Sequence, residues 1–328
     1  MTGLYDSFQR PINYLRISVT DRCNLRCVYC MPADGICQMS HQDILSYEEI
    51  CTIVRAASEL GIKKVRLTGG EPLVRLGVPN LVAMLSQIEA IDDISMTTNG
   101  TLLGRYATEL KESGLRRVNI SLDTLRPERF KVITRSRADL SDVLEGIEAA
   151  SLAGLNPVKI NMVVMAGIND DEVLDFARKT ISEGWHVRFI EFMPTAGVGD
   201  AALHFVPVGI IKKQLESLGE LVPCFPQMGN GPARYFQFPG SQGSIGYISP
   251  VSEHFCFQCN RLRLTADGKL RSCLLSEEEI DLKQPLRSGI TPTELEGLIK
   301  QAVANKPLRH QLAEGYLPLD RPMTQVGG

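Results

Sequence analysis

Two groups of cysteines carry the chemistry most readily legible in this chain. Cys23, Cys27 and Cys30 fall in one short segment as Cys-x3-Cys-Val-Tyr-Cys, and Cys256, Cys259 and Cys273 form a second group far downstream. Each group offers three soft thiolates and has no fourth cysteine close by. A tetrahedral sulfur site takes four ligands, so a group of three leaves one metal position open to a substrate or cofactor. Two such incomplete sites in one chain point to chemistry at the metals and away from simple cross-bracing. The chain has nine cysteines in all, and residues 1–11 are polar and mixed, without an apolar secretory core. Thiols that stay reduced and cluster in this way read as metal ligands of a cytoplasmic protein, not as disulfides. Cys51 lies in a helical pattern and reads as a small core residue. Cys37 and Cys224 receive no role.

Plain alternatives stand beside both groups. For the first it is a structural zinc loop, although zinc sites favour two close pairs of ligands. For the second it is a zinc knuckle with His254 as fourth ligand. Arg261 and Arg263, just after Cys259, alternate across one residue, so on an extended segment they point the same way. Guanidinium forks chelate phosphate oxygens, and the pair therefore implies a phosphorylated ligand beside the second metal. Solvated surface arginines are the plain alternative.

The elements that must position these groups are a series of strands and helices. Short β-branched runs predict strands over 14–19, 64–67, 94–97, 117–121, 158–164 and 187–191. Helical stretches lie between them. Over 46–60, Ser46 and Glu49 have capping-box spacing, with Ile50, Ile53, Val54, Ala57 and Leu60 on one face and Gly61 beyond the end. The stretch 140–153 repeats this with Leu140, Leu144 and Ile147 inward and Gly154 closing, and 170–183 is a third, ended by Gly184. Alternating strand and helix implies a parallel α/β sheet with crossover helices, curled to a barrel or opened as a doubly wound sheet. The first cysteine group then follows the first strand, at the sheet edge where sites collect. Residues 194–199 read as loop, 223–252 as short strands and turns. A soft boundary near residue 200 divides the chain into 1–200 and 201–328. The 326–328 terminus, Val-Gly-Gly, reads as flexible.

The chain has 328 residues, 44% hydrophobic and 22% charged, with a formal net charge of −3. This is ordinary for a globular protein, with no field to draw it onto nucleic acid and no run long enough to span a bilayer.

The spacing of Cys23, Cys27 and Cys30 with Tyr29 before the last, followed by Gly69-Gly70-Glu71-Pro72 after the second strand, resembles the radical S-adenosylmethionine (SAM) superfamily. Thr97-Thr98-Asn99-Gly100, Ser121-Leu122-Asp123, the Cys256-to-Arg263 block, Cys273 and the terminal Gly327-Gly328 narrow the resemblance to its GTP 3′,8-cyclase family. That resemblance implies an incomplete (β/α)6 TIM-like barrel whose C-terminal region closes the open side. It implies two [4Fe–4S] clusters, the first on Cys23, Cys27 and Cys30, the second on Cys256, Cys259 and Cys273. It implies SAM contacts at Tyr29, Gly70, Ser121 and Met193, and GTP contacts at Arg16, Arg66, Thr97, Lys159, Arg261 and Arg263. The expected reaction is radical abstraction of the ribose 3′ hydrogen and attack on guanine C8, in the first step of molybdenum cofactor synthesis. A homodimer, a diglycine tail reaching into the cavity, and delivery of product to cyclic pyranopterin monophosphate synthase are implied as well. The rivals are a peptide-modifying radical SAM maturase, which usually carries more downstream cysteines, and a zinc-stabilised binding module.

Overall fold

The computed structural model describes residues 3–193, 204–225, 231–314, 316 and 321–327. The expected loop at 194–199 and Gly328 of the diglycine lie outside the described residues. In chain order the strands are β1 (Tyr14–Ser18), β2 (Lys64–Thr68), β3 (Asp93–Thr98), β4 (Arg117–Ser121), β5 (Lys159–Val164), β6 (His186–Glu191), β7 (Val222–Pro223), β8 (Arg234–Gln237), β9 (Ser244–Ile248), β10 (Arg261–Leu264), β11 (Lys269–Arg271) and β12 (Ile280–Asp281). The helices are α1 (Tyr47–Glu59), α2 (Val78–Ser86), α3 (Leu103–Glu112), α4 (Pro127–Thr134), α5 (Leu140–Leu152), α6 (Val173–Ser182), α7 (Val208–Leu215), α8 (Lys283–Arg287), α9 (Pro292–Ala304) and α10 (Met323–Val326). Among the described residues no helix is long and apolar enough to cross a membrane.

All the strands join one open sheet, ordered β12-β11-β10-β1-β2-β3-β4-β5-β6-β9-β8-β7. Strands β1 to β6 run parallel, which is the expected incomplete (β/α)6 arrangement. The downstream segment does more than cover one side. It adds β10 parallel to β1 at one edge and β9 parallel to β6 at the other, so both open edges are paired from the same part of the chain. Edge strands left bare expose unpaired backbone, and this pairing removes that liability from the six-strand unit.

The strands alternate with period two, but with an inverted sense. Leu15, Ile17, Val65, Leu67, Ile94, Met96, Val118, Ile120, Ile160, Met162, Val187 and Phe189 pack outward into one core with the helices. The intervening residues are polar. Arg263, Arg16, Arg66 and Ser95 are successive register partners across β10, β1, β2 and β3. A closed barrel fills its lumen with branched apolar side chains; a lumen lined with arginine instead stays open for an anionic ligand.

Helix α1 starts as the sequence predicts, with the Ser46 hydroxyl accepting from Glu49 N and the Glu49 carboxylate accepting from Ser46 N. Cys51 on this helix is fully buried. On α5 the inward face is Leu140, Val143, Gly146, Ile147 and Ala150, whereas Leu144 is 40% exposed. The assignment of Leu144 to the core face is corrected: Val143, packed at Gly100 just before α3, takes the inward position, and the helix turns Leu144 outward.

Glu191, at the end of β6 and 1% exposed, accepts from the backbone N–H of Val208, Val251 and Ser252 and from the Ser252 hydroxyl, fastening the downstream segment to the barrel. Deeper in, Arg117 and Asp93 form a buried two-pronged ion pair at 2.5 and 2.6 Å. Removing one member strands a buried charge, at a cost of roughly 3–5 kcal/mol. Asp93→Ala is therefore expected to lower the unfolding free energy by about that much, measured by denaturant titration of the metal-free chain; a midpoint within error of the parent's contradicts it.

Candidate active site

The strands' C-terminal ends and the downstream segment enclose one cavity of about 310 Å³. The first cysteine group lies on the loop after β1. That loop is pinned to the end of α4 by Arg26 N to Thr134 O (2.8 Å) and Val28 N to Ile133 O (2.9 Å). The Gly-Gly-Glu-Pro turn after β2 packs against it, with Gly70 N bonded to Thr20 O at 2.7 Å and Glu71 N to Arg22 O at 2.8 Å. A Cβ on Gly70 would come within 2.3 Å of Arg22 O, so only glycine lets the two loops approach this closely. Glu71 is buried. Burial raises its carboxyl to about 7, opposed by donors at Asn99 N (2.6 Å), Thr98 Oγ1 (2.7 Å) and Leu73 N.

The second group borders the same cavity. Cys256 and Cys259 sit on the turn before β10, closed by Cys259 N to Cys256 O at 3.1 Å, and Cys273 follows β11. All six cysteines line the cavity. Among the described residues no three His, Cys, Asp or Glu side chains converge as ligands of a single ion do. An iron–sulfur cube has several metal corners and keeps its cysteines apart, so three spread thiols on a cavity wall fit it. His254 stands edge-on to the His310 ring at 5.9 Å and is not part of the cavity wall.

The two groups differ in electrostatics. Burial, helped by the Glu71 carboxylate, pushes the Cys23 thiol up to about 11, and burial with Cys23 and Asp123 pushes Cys30 up to about 12. At Cys259 burial also works upward, but Arg261 and Lys306 beside it bring the thiol down to about 6. Metal ligation takes thiolates. The first group depends on the metal's own charge to form them; in the second, Cys259 stands beside cations, whereas burial still pushes Cys273 up.

Arg16, Arg66, Arg188, Arg261 and Arg263 border the cavity with the two groups. Arg16 and Arg263 are at least nine-tenths buried. Burial pulls the Arg263 guanidinium down to about 9, with Arg261 next to it adding repulsion. The Thr97 hydroxyl, the Asn161 carbonyl oxygen and the Arg188 Nε are buried in this wall without hydrogen-bond partners among the described residues. Buried polar atoms of this kind are completed by a ligand or water.

Residues 17–180 match the Radical SAM superfamily and residues 185–312 match Molybdenum Cofactor Synthesis C. A GTP 3′,8-cyclase of Moorella thermoacetica is 52% identical over 326 residues, covering 99% of this chain and 100% of its own. One of Pelotomaculum thermopropionicum is 52% identical over 327 residues with the same coverage. The chain belongs to the GTP 3′,8-cyclase family of radical SAM enzymes. Its fold is also that of Streptococcus suis SuiB bound to the precursor peptide SuiA, with a TM-score of 0.61 at 13% identity, over 90% of this chain and 65% of that one. Family membership brings a [4Fe–4S] cluster and SAM, and the first cysteine group has the donors and the open corner such a cluster takes.

Tyr29, Gly70, Ser121, Met193, Arg16, Arg66, Thr97, Arg261 and Arg263 all border the cavity. Lys159 does not. It is buried beneath the wall over the Tyr235 ring, at 5.4 Å, and burial among Arg188, Arg117 and Arg66 lowers it to about 7. Tyr29 turns its hydroxyl to Asp123 at 2.7 Å, so that side chain is already engaged. Arg188 on β6 was missed. Its polar position within the β6 alternation was the available signal, the same one that marks Asn161 on β5. The diglycine is placed in part: Gly327 is buried, with φ +79°, and its carbonyl accepts from Arg263. A Cβ there would meet Thr68 Oγ1 at 2.5 Å. The expectation of a flexible terminus is corrected through Val326, which is 4% exposed, because α10 and the Arg321 pair to Asp267 and Glu279 hold this segment.

Proposed function

We propose that this chain converts GTP to 3′,8-cyclo-7,8-dihydro-GTP, with SAM as radical source, and that its two cysteine groups hold two [4Fe–4S] clusters. The observation that carries this reading is a single cavity bordered by both cysteine groups and by the arginine row. In it, Cys23, Cys27 and Cys30 hold the cluster that, with SAM bound, supplies a 5′-deoxyadenosyl radical. Gly70, Ser121, Met193 and the backbone at Tyr29 seat SAM. Cys256, Cys259 and Cys273 hold the second cluster against guanine.

The protein's own part is positioning. Arg16, Arg66, Arg261 and Arg263, joined by Arg188, neutralise the triphosphate, and Thr97 donates to the nucleotide. Lys159, lowered to about 7 among these cations, takes up its proton as the phosphates bring negative charge beside it. A triphosphate buried in this way requires several charge-assisted donors. Once the phosphates are clamped, the ribose 3′ C–H faces the radical and C3′ stands near guanine C8, and the closed wall keeps competing hydrogen donors out. The 3′ hydrogen would pass to the adenosyl carbon, the C3′–C8 bond would form as the C8=N7 double bond opens, and one electron, from the same external reductant that primes the first cluster, with one proton at N7 would complete the 7,8-dihydropurine.

The division near residue 200 then separates a radical-generating part from a substrate-holding part. The family supports a cytoplasmic homodimer that hands its product to cyclic pyranopterin monophosphate synthase. Anaerobic incubation with SAM, dithionite and GTP tests the proposal. The expected result is 5′-deoxyadenosine whose formation requires GTP, with a new nucleotide isomeric with GTP and separable from it by chromatography. Deoxyadenosine formation that ignores GTP, or requires a peptide, overturns it.

A further inference from the structure

Lys306 follows α9 and is 3% exposed. Its ammonium donates to Arg261 O at 2.9 Å and to Ser272 O. The first carbonyl lies two residues after Cys259 and the second immediately before Cys273, so one side chain ties together the two segments that carry these cysteines. The third segment is tied to the same place. Arg10, held by Asp6 at 2.5 Å, donates to Cys256 O at 2.7 Å, Pro307 O at 2.7 Å and Leu308 O at 2.9 Å. Residues 306–308 are thus a hub on which all three cysteine segments hang.

The charge balance at this hub is incomplete. Among the described residues Lys306 has no carboxylate partner; the groups that act on it are the thiols of Cys259 and Cys273 and the guanidiniums of Arg261 and Arg10. A buried ammonium bonded only to neutral carbonyls is costly, and the two cysteines, thiolates once they ligate metal, are the counter-charges beside it. We propose that Lys306 is a positioning residue for the second cluster: it fixes the Cys259 and Cys273 segments relative to each other and supplies the positive charge that offsets the thiolate-ligated iron. This rests on the reading that Cys256, Cys259 and Cys273 hold a cluster. Partners at this distance orient metal ligands and set the potential of an iron–sulfur centre through charge and hydrogen bonding.

The test uses the full-length chain carrying Cys23→Ser, Cys27→Ser and Cys30→Ser, reconstituted anaerobically with iron and sulfide, so that only the second group is read. Adding Lys306→Gln is expected to weaken iron retention against a chelator by about 10–100-fold. The midpoint potential of the remaining cluster, followed by EPR during a redox titration, is expected to become more negative, because a positive charge that favoured the reduced form is gone. Lys306→Arg keeps the charge and is expected to retain the iron with a smaller shift. In the chain with all its cysteines, Lys306→Gln must leave the SAM-responsive EPR signal of the first cluster in place. Loss of that signal too marks general misfolding and overturns the specific role. Unchanged iron retention and potential in Lys306→Gln overturn the inference while leaving the second cluster standing. A parent chain that takes up no iron overturns both.

Discussion

Arg263→Ala is expected to lower kcat/KM for GTP by about 10²–10³-fold, the loss seen when one preorganised electrostatic donor is removed, while SAM cleavage continues. The expectation follows from where Arg263 stands. It is the register partner of Arg16, and Arg16 is in turn that of Arg66, so three guanidiniums form one row along the floor of the cavity. Burial lowers Arg263 to about 9, so at neutral pH it is charged and scarcely hydrated. A buried cation in that state gains strongly from a phosphate and loses little water on meeting it. Arg263 borders the second cysteine group, whereas the loop that carries the first lies after β1. Its loss is therefore expected to misplace the nucleotide and to leave the first cysteine group untouched. Deoxyadenosine formed per GTP converted should rise, because radicals are quenched before they meet a positioned ribose. Arg263→Lys is expected to recover only part of the turnover, since an ammonium lacks the planar fork. The measurement is parallel quantification of 5′-deoxyadenosine and cyclised nucleotide; equal loss of both counts against a substrate-holding role.

The local parts of this site were legible because they depend on short-range rules. Cysteine spacing fixes ligands on one loop, and the Ser46–Glu49 capping box marks a helix start whatever the rest of the chain does. Short β-branched runs marked β1 to β6 to within a residue or two. The failures share a cause. Alternation separates two faces of a strand but does not state which is concave, so Arg188 and Asn161 went unassigned although they follow the same pattern as Arg16 and Arg66. The pairing of β10 with β1, and of β9 with β6, joins segments separated by most of the chain, and such register is decided by packing, not by neighbouring residues. Lys159 occupies an inward strand position, yet Tyr235 on β8 lies over it, a contact no reading of β5 alone contains. Val326 and Gly327 looked like a loose end. The Arg321 ion pairs and the Arg263 contact that hold them come from elsewhere in the fold.

Cys273→Ser is expected to remove about half of the reconstituted iron, the share one of two equal cubes carries, and to abolish GTP conversion while sparing the first cluster. Serine has nearly the same shape as cysteine, so the segment after β11 should keep its path, with Ser272 O still held by Lys306. What changes is the donor. A hydroxyl is a hard, weakly acidic group where a soft thiolate is needed, and two remaining cysteines do not retain a cube. The first group lies on a separate loop whose cysteine-bearing part is tied to α4 and to the Gly-Gly-Glu-Pro turn; the loop's backbone bond to the downstream segment, Leu45 N to Ala266 O, lies at its far end, well past Cys30. Its cluster and the SAM-dependent EPR signal should therefore survive. Iron and sulfide analysis with EPR of both variants and parent decides the matter. Unchanged iron means that Cys273 is no ligand; loss of all iron means that the two groups form a single coupled centre. Only the selective loss supports the proposed division of labour, with radical generation at the first cysteine group and guanine binding at the second.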